Sequence, residues 1–474
     1  MLSTVKITFK LITLLFLLFT LAGCGGGSSS SETIPPIIVP VIEDPPPAGS
    51  DYQYTPDDKF FELQPWVTYR GTASHTAFVP ININTSEINK IWEIPFDFKL
   101  NPAIAFGEEI FLSEFEDISP ETSADIKEIP SIYSISLGTG NINWNVRLDE
   151  LTEVLDTKDK NDVNFHHLSY GNGLVYATAT TRRIGESYPI LHTFALDANT
   201  GLKMFALDEY RFESRSIDWK AVTPYKDALY RMVEGRRMAK YNALDGTLIW
   251  KIDLGGNAIT QIPTVTDSRI FLHTSSGHTF MTFDQENGEL VSEITWTCIS
   301  PDGRVDAQLY VEAIPYGPDN RVAAVSGDCI ASFYADVNKV GDETNWLHYR
   351  DEQDLRDLYL TNQGLFALAH LGTGETSISN FGLYDAEKKW DVKYANEKTS
   401  TPGVTPVIST MSHLIISSVD ETIIVRNSDQ SIVWSYPKGG EISLTETGVL
   451  LITSQLERYS QTPRQGYLTA VRLF

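Results

Sequence analysis

The chain has 474 residues, 42% of them hydrophobic and 11% aromatic, enough to bury a sizeable core. Nine Trp and 21 Tyr suit packed sheets better than helices. A formal net charge of −25 repels phosphate backbones and argues against a nucleic-acid partner; its plainest reading is solubility.

Residues 1–23 read as an export signal rather than as structure. Lys6 and Lys10 give a positive start, and Leu11–Leu21 is an apolar run too short to span a bilayer. The run ends in Leu21-Ala22-Gly23-Cys24. That ending resembles the bacterial lipobox, which implies acylation of Cys24; the alternative is an ordinary secretory peptide with a chance cysteine. Gly25 stands where an aspartate would favour retention in the inner membrane, so the resemblance implies the outer membrane if the organism is Gram-negative. Residues 24–58, with GGGSSSS and PPIIVPVIEDPPPAGS, read as a flexible then semi-extended tether. Residues 59–474 are the folded part, with membrane contact through the lipid alone.

The folded part carries a repeat. In Tyr241–Leu254, YNALDGTLIWKIDL, Asp245-Gly246 reads as the two-residue type I′ turn of a hairpin, and Trp250 opens the next strand. Similar units place Trp144 after Gly140, Phe205 after Gly201 and Ser292 after Gly288. Trp92, Trp346, Trp390 and Trp434 take the same position in EINKIW, GDETNW, DAEKKW and DQSIVW. A unit of about 40–50 residues built from short strands is the signature of a propeller blade. The repeated Trp is expected in the core between blades rather than at a ligand.

In chain order, Asn89–Phe96 (NKIWEIPF) is a lone strand, followed by blades at about 101–148, 164–208, 219–254, 261–297, 310–349, 357–396 and 404–437. The segment 351–360, DEQDLRDLYL, offers one or two helical turns. The C-terminal stretch supplies three strands without an outer one, and NKIWEIPF supplies the missing strand. The expected fold is all-β, an eight-bladed β-propeller closed by N-terminal and C-terminal strands in one blade. The count falls to seven if the diverged stretch around 300–350 is not a unit of its own. Such closure leaves no free end edge to aggregate.

Trp66–Val79, WVTYRGTASHTAFV, gives Trp66, the turn Arg70-Gly71-Thr72, and His75-Thr76 followed by Ala77 where glycine is usual. With the repeats, this resembles the pyrroloquinoline-quinone-like propellers exported by bacteria. The true quinoprotein dehydrogenases carry an adjacent cysteine pair over the cofactor. The chain lacks that pair, so no cofactor is expected.

Cys298 and Cys329 form the default disulfide of an oxidising compartment, with two buried thiols as the alternative. His166-His167, and His273 with His278, lack metal-ligand spacing. The acidic loops 156–162 and 336–343 have alternating oxygen ligands but read as solvated turns. No catalytic signature is present in the sequence. Two functions remain. One is a lipid-anchored, non-catalytic scaffold binding envelope proteins through blade loops, as resemblance to the propeller lipoproteins of the outer-membrane β-barrel assembly machinery implies. The alternative is an envelope enzyme, such as a carbohydrate-active one, using acids in the central funnel.

Overall fold

A computed structural model of the chain describes residues 65–68, 70–73, 75–115, 129–152, 164–181, 190–207, 210–211, 221–233, 236–255, 262–273, 279–295, 298–299, 305–306, 316–317, 321–326, 329–334, 344–349, 354–361, 364–370, 375–382, 387–395, 407–418, 420–455 and 466–474. All but a few of these residues lie in or between short antiparallel strands. They belong to the second of two units of the chain, Val41–Phe474. Cys24, both acidic loops and His278 lie outside the described residues.

The architecture is an all-β propeller. Seven sheets, each of four or more described strands, are built from strands consecutive in sequence. Blade one runs from Lys99–Leu100 to Ile142–Arg147, blade two from Asn164–Gly171 to Lys203–Ala206, and blade three from Thr223–Tyr225 to Leu248–Asp253. Blade four runs from Thr264–Val265 to Leu290–Thr295, and blade five from Tyr316–Gly317 to Thr344–Tyr349. Blade six runs from Asp354–Thr361 to Lys388–Ala395, and blade seven from Val407–Ser409 to Ile432–Tyr436. A further four-stranded sheet joins the two ends of the array: Asn89–Phe96 pairs antiparallel with Gly466–Arg472, setting Ile94 against Leu468 and Phe96 against Gly466. Val449–Gln455 and Glu441–Leu444 complete this closing sheet.

The burial patterns show why these residues make these strands. Leu174–Thr181 and Ala228–Val233 are buried at every position. Each lies inside its own sheet with a neighbouring blade on both faces, so mostly apolar side chains run without alternation, and the one buried charge, Arg231, donates to Thr193 Oγ1 at 2.7 Å. The outer strands of blades one and three alternate instead, because one set of side chains faces water. Most of 351–360, where one or two helical turns are expected, lies in Asp354–Thr361, the inner strand of blade six. Leu358 and Leu360 are fully buried there against Leu365 and Ala367, and this tertiary burial outweighs a charged stretch with weak helical spacing. A short helix, Leu148–Leu151, caps blade one.

The repeated turn differs from the sequence expectation in one respect. Gly246 N donates to Asn242 O at 3.0 Å and Asn242 N to Thr247 O at 2.8 Å, so four residues, not two, close the hairpin. Gly246 has φ +73° while Asp245 keeps an ordinary φ, which excludes type I′. Asp245 instead accepts from Thr247 N and Oγ1. The same bond recurs from Gly140 to Ser136, Gly201 to Asp197 and Gly288 to Asp284. In blade seven Gln430 takes the glycine's place at φ +54°.

Each of the four glycine turns receives a ring from the preceding sheet. Trp92 lies over Gly140, Trp144 over Gly201, Phe205 over Gly246 and Trp250 over Gly288. The indole Nε1 of Trp92 donates to Leu137 O, that of Trp144 to Ala198 O and that of Trp250 to Glu286 O, at 2.8, 2.8 and 3.0 Å. A Cβ on Gly246 would stand 2.6 Å from Phe205 Cδ2, so the missing side chain is what lets neighbouring blades approach.

Candidate functional site

The stretch Trp66–Asn84 belongs to no blade, yet its backbone reaches one blade after another. Trp66 O accepts Ala105 N of blade one at 2.8 Å, and Val67 O accepts Tyr170 N of blade two at 2.7 Å. Ala73 O accepts Val265 N of blade four at 3.1 Å. Ala77 O and Val79 N both bond Ser409 of blade seven at 2.9 Å, and Asn84 N donates to Leu473 O, beyond the closing sheet, at 3.0 Å. Blade six is reached by a side chain: Arg70 Nη1 donates to Leu358 O at 3.1 Å, with the guanidinium 5.1 Å over the Tyr359 ring. One segment therefore ties together inner strands that are hundreds of residues apart, and it forms an axial strap.

The motif residues are what make this path. Gly71, at φ +97°, tucks beneath the Trp66 ring, and Arg70, His75 and Ala77 hold left-handed backbone at φ +58°, +52° and +51°. Non-glycine residues tolerate that conformation only where the surroundings over-determine it. His75 is fully buried, with Nε2 3.3 Å from Pro263 O; a carbonyl only accepts, so this nitrogen carries the proton. Pro263 O also accepts Thr223 Oγ1 of blade three at 2.7 Å. The sequence flagged these residues through the family motif. It gave no sign that they cross the ring.

Between the strap and the blades remains a cavity of about 40 Å³, bordered by Trp66, Arg70, Ala77, His167, Tyr359 and Glu441. That is room for water, whereas small-molecule sites are roughly 300–1,000 Å³. Among the described lining residues Glu441 is the one carboxylate.

The seam of the array holds a charge cluster. Glu93, on the N-terminal strand of the closing sheet, accepts from Tyr436 Oη at 2.8 Å, Thr469 Oγ1 at 2.9 Å and Lys438 Nζ at 2.9 Å. Burial alone would raise its pKa, but these donors together outweigh burial and hold the carboxyl below its usual 4.5. Burial and Glu93 push Tyr436 up to about 12. The cluster bonds blade seven, the first strand and the last strand at one point. No motif announced it, because its members are separated by up to 376 residues.

Of the remaining sequence candidates, Cys329 is buried in blade five, while Cys298 lies in a two-residue strand paired with Val305–Asp306. Trp390 packs on Phe366 at 5.5 Å and Trp434 stacks on Tyr436 at 5.9 Å. Trp346 lies in the outer strand of blade five, Thr344–Tyr349. His166 and His192 bond Thr180 and Thr181. Among the described residues no group of His, Cys, Asp or Glu is arranged to hold a metal.

A family model described as outer membrane protein assembly factor BamB matches residues 131–297, the end of blade one through blade four. Among solved structures, BamB from Moraxella catarrhalis is similar at 13% identity and a TM-score of 0.50, covering 81% of this chain and 97% of that one. The computationally designed Ika8 protein is similar at 9% identity and a TM-score of 0.52, covering 81% of this chain and 99% of that one. At such identities the likeness is one of fold. No curated protein matches the chain.

Proposed function

We propose that the chain is a lipid-anchored scaffold of the bacterial outer membrane that faces the periplasm and binds envelope proteins through the rim and loops of an eight-bladed propeller, counting the closing sheet as a blade. The observation that carries this is the axial strap. The described residues between 66 and 84 bond inner strands of several blades, which favours the rim and outer loops as the surfaces a partner uses. The description of the matching family model, an assembly factor, supports the same class of role. Cys24 carries the acyl groups and residues 25–58 give the reach. Cys329 is oxidised, which supports the Cys298–Cys329 disulfide.

The test is crosslinking in intact cells followed by identification of the captured proteins. Reproducible capture of an envelope protein by wild type is expected. Its loss is expected for Cys24→Ser, which should move the protein to the soluble periplasmic fraction. Absence of any envelope crosslink from wild type overturns the scaffold reading. One observation favours a second reading, an envelope enzyme: an open cleft of about 420 Å³ beside blade two, bordered by Asp149, Glu150 and His192. Turnover of envelope glycans by purified protein, abolished by Glu150→Gln, would establish it.

A further inference from the structure

The outer strands of the blades occupy equivalent positions, so their exposed residues can be compared directly. In blades one to four the positions around the turn and just after it carry Ile142, Met204, Leu248, Ile249 and Leu290, together with Leu202 and Leu244. These side chains are 48–67% exposed. Their order around the rim is fixed by the ring contacts, since Trp144, Phe205 and Trp250 each lie over the turn glycine of the next blade. In blade six the two residues before Trp390 are Lys388 and Lys389, and in the closing sheet Lys90 stands at the position of Leu248. Lysine thus stands at these sites in blade six and the closing sheet, while blade seven has Ile432 and Val433 there, half-buried and packed on its core rather than exposed. Single exposed leucines need no explanation, but a run on four consecutive units does.

Blade three shows what the belt can accept. Its outer strand, Leu248–Asp253, ends the sheet order, and its outward backbone edge pairs with no described strand. It has no proline, and it begins with two exposed apolar residues rather than the lysines that guard the edge of blade six. Exposed acids lie along it and its neighbours: Asp245, Asp253, Glu286, Glu289 and Glu293, against Lys203, Arg237, Lys240 and Lys251; of these cations Lys203 is turned to Leu151 O, Lys240 to Gln285 O, and Arg237 lies 3.5 Å from Asp253. The chain's own charge of −25 disfavours a second copy here, and the acids disfavour an anionic lipid surface.

We infer that the rim of blades one to four, centred on the outer strand of blade three, docks an extended protein segment whose apolar residues alternate with basic ones. The segment adds along the open edge by backbone hydrogen bonds; its apolar side chains lie on the belt and its cations face the acids. The inference rests on the scaffold reading and names its surface.

The test uses the full mature chain and a labelled nine-residue peptide of alternating valine and lysine, with a valine–glutamate twin. Fluorescence anisotropy should show the lysine peptide binding at least tenfold more tightly than its twin. Leu248→Lys combined with Ile249→Lys, the pattern of blade six, should weaken it at least tenfold with unchanged Tm. Should that variant not fold, Leu290→Lys alone and competition by unlabelled peptide carry the test. Equal binding to wild type and variant, or preference for the glutamate peptide, overturns the proposal. So does a wild-type dimer in sedimentation that the variant abolishes, or variant-sensitive binding to phosphatidylglycerol vesicles. Envelope crosslinks in cells that map wholly to other blade loops would leave the scaffold standing and remove this surface from it.

Discussion

The axial strap and the outer turns hold the same ring together in opposite ways. Each outer turn acts between nearest neighbours: a ring from one blade covers a glycine of the next, and the device repeats. Residues 66–84 occur once and touch blades at remote positions in the sequence. A repeated contact shares stability among units, so losing one leaves the others. A contact made once has no substitute, and damage to it should spread around the ring.

Trp66→Ala should sharpen that contrast most. Its ring is buried over Gly71 and against the core, and removing a buried tryptophan costs about 3–5 kcal/mol. A large fall in Tm and a broadened transition in calorimetry are expected; a change no larger than that of the turn variants would break the comparison. Gly246→Ala comes next, at about 1–3 kcal/mol for left-handed backbone, with the added clash against Phe205. Adding Phe205→Ala should relieve the clash without restoring wild-type stability, as read by urea denaturation.

Trp144→Phe keeps most of the ring contact but drops the bond to Ala198 O, so a loss of about 1 kcal/mol is expected from the same measurement. Glu93 adds a pH dependence at the seam. Its folded pKa lies below the usual 4.5, so its contribution is present above that value and is lost as pH falls through the lower one. Glu93→Gln should flatten Tm against pH below the usual 4.5 relative to wild type. Gln430→Gly is the mildest change. It relieves φ +54° but loses the Nε2 bond to Asn427 O, and these effects offset to within about 1 kcal/mol.

How much was legible follows from the same contrast. Asn89–Phe96 and its C-terminal partner were found by counting strands, because an incomplete unit at one end needs the strand left over at the other. The blade limits followed from turn glycines and outer rings. The four-residue turn, the strand at 354–361 and the Glu93 cluster were not legible. Each depends on which groups meet across the fold rather than on local pattern.

The sequence by itself determined a ring of similar sheets and the way it closes, because turn chemistry and period-two burial are local and recur along the chain. The tertiary structure alone decided that described residues between 66 and 84 bond inner strands of several blades, that Glu93 joins three strands, and that exposed apolar residues recur on the outer strands of blades one to four. Those facts come from pairings at long sequence separation, where no periodic signal exists to carry them.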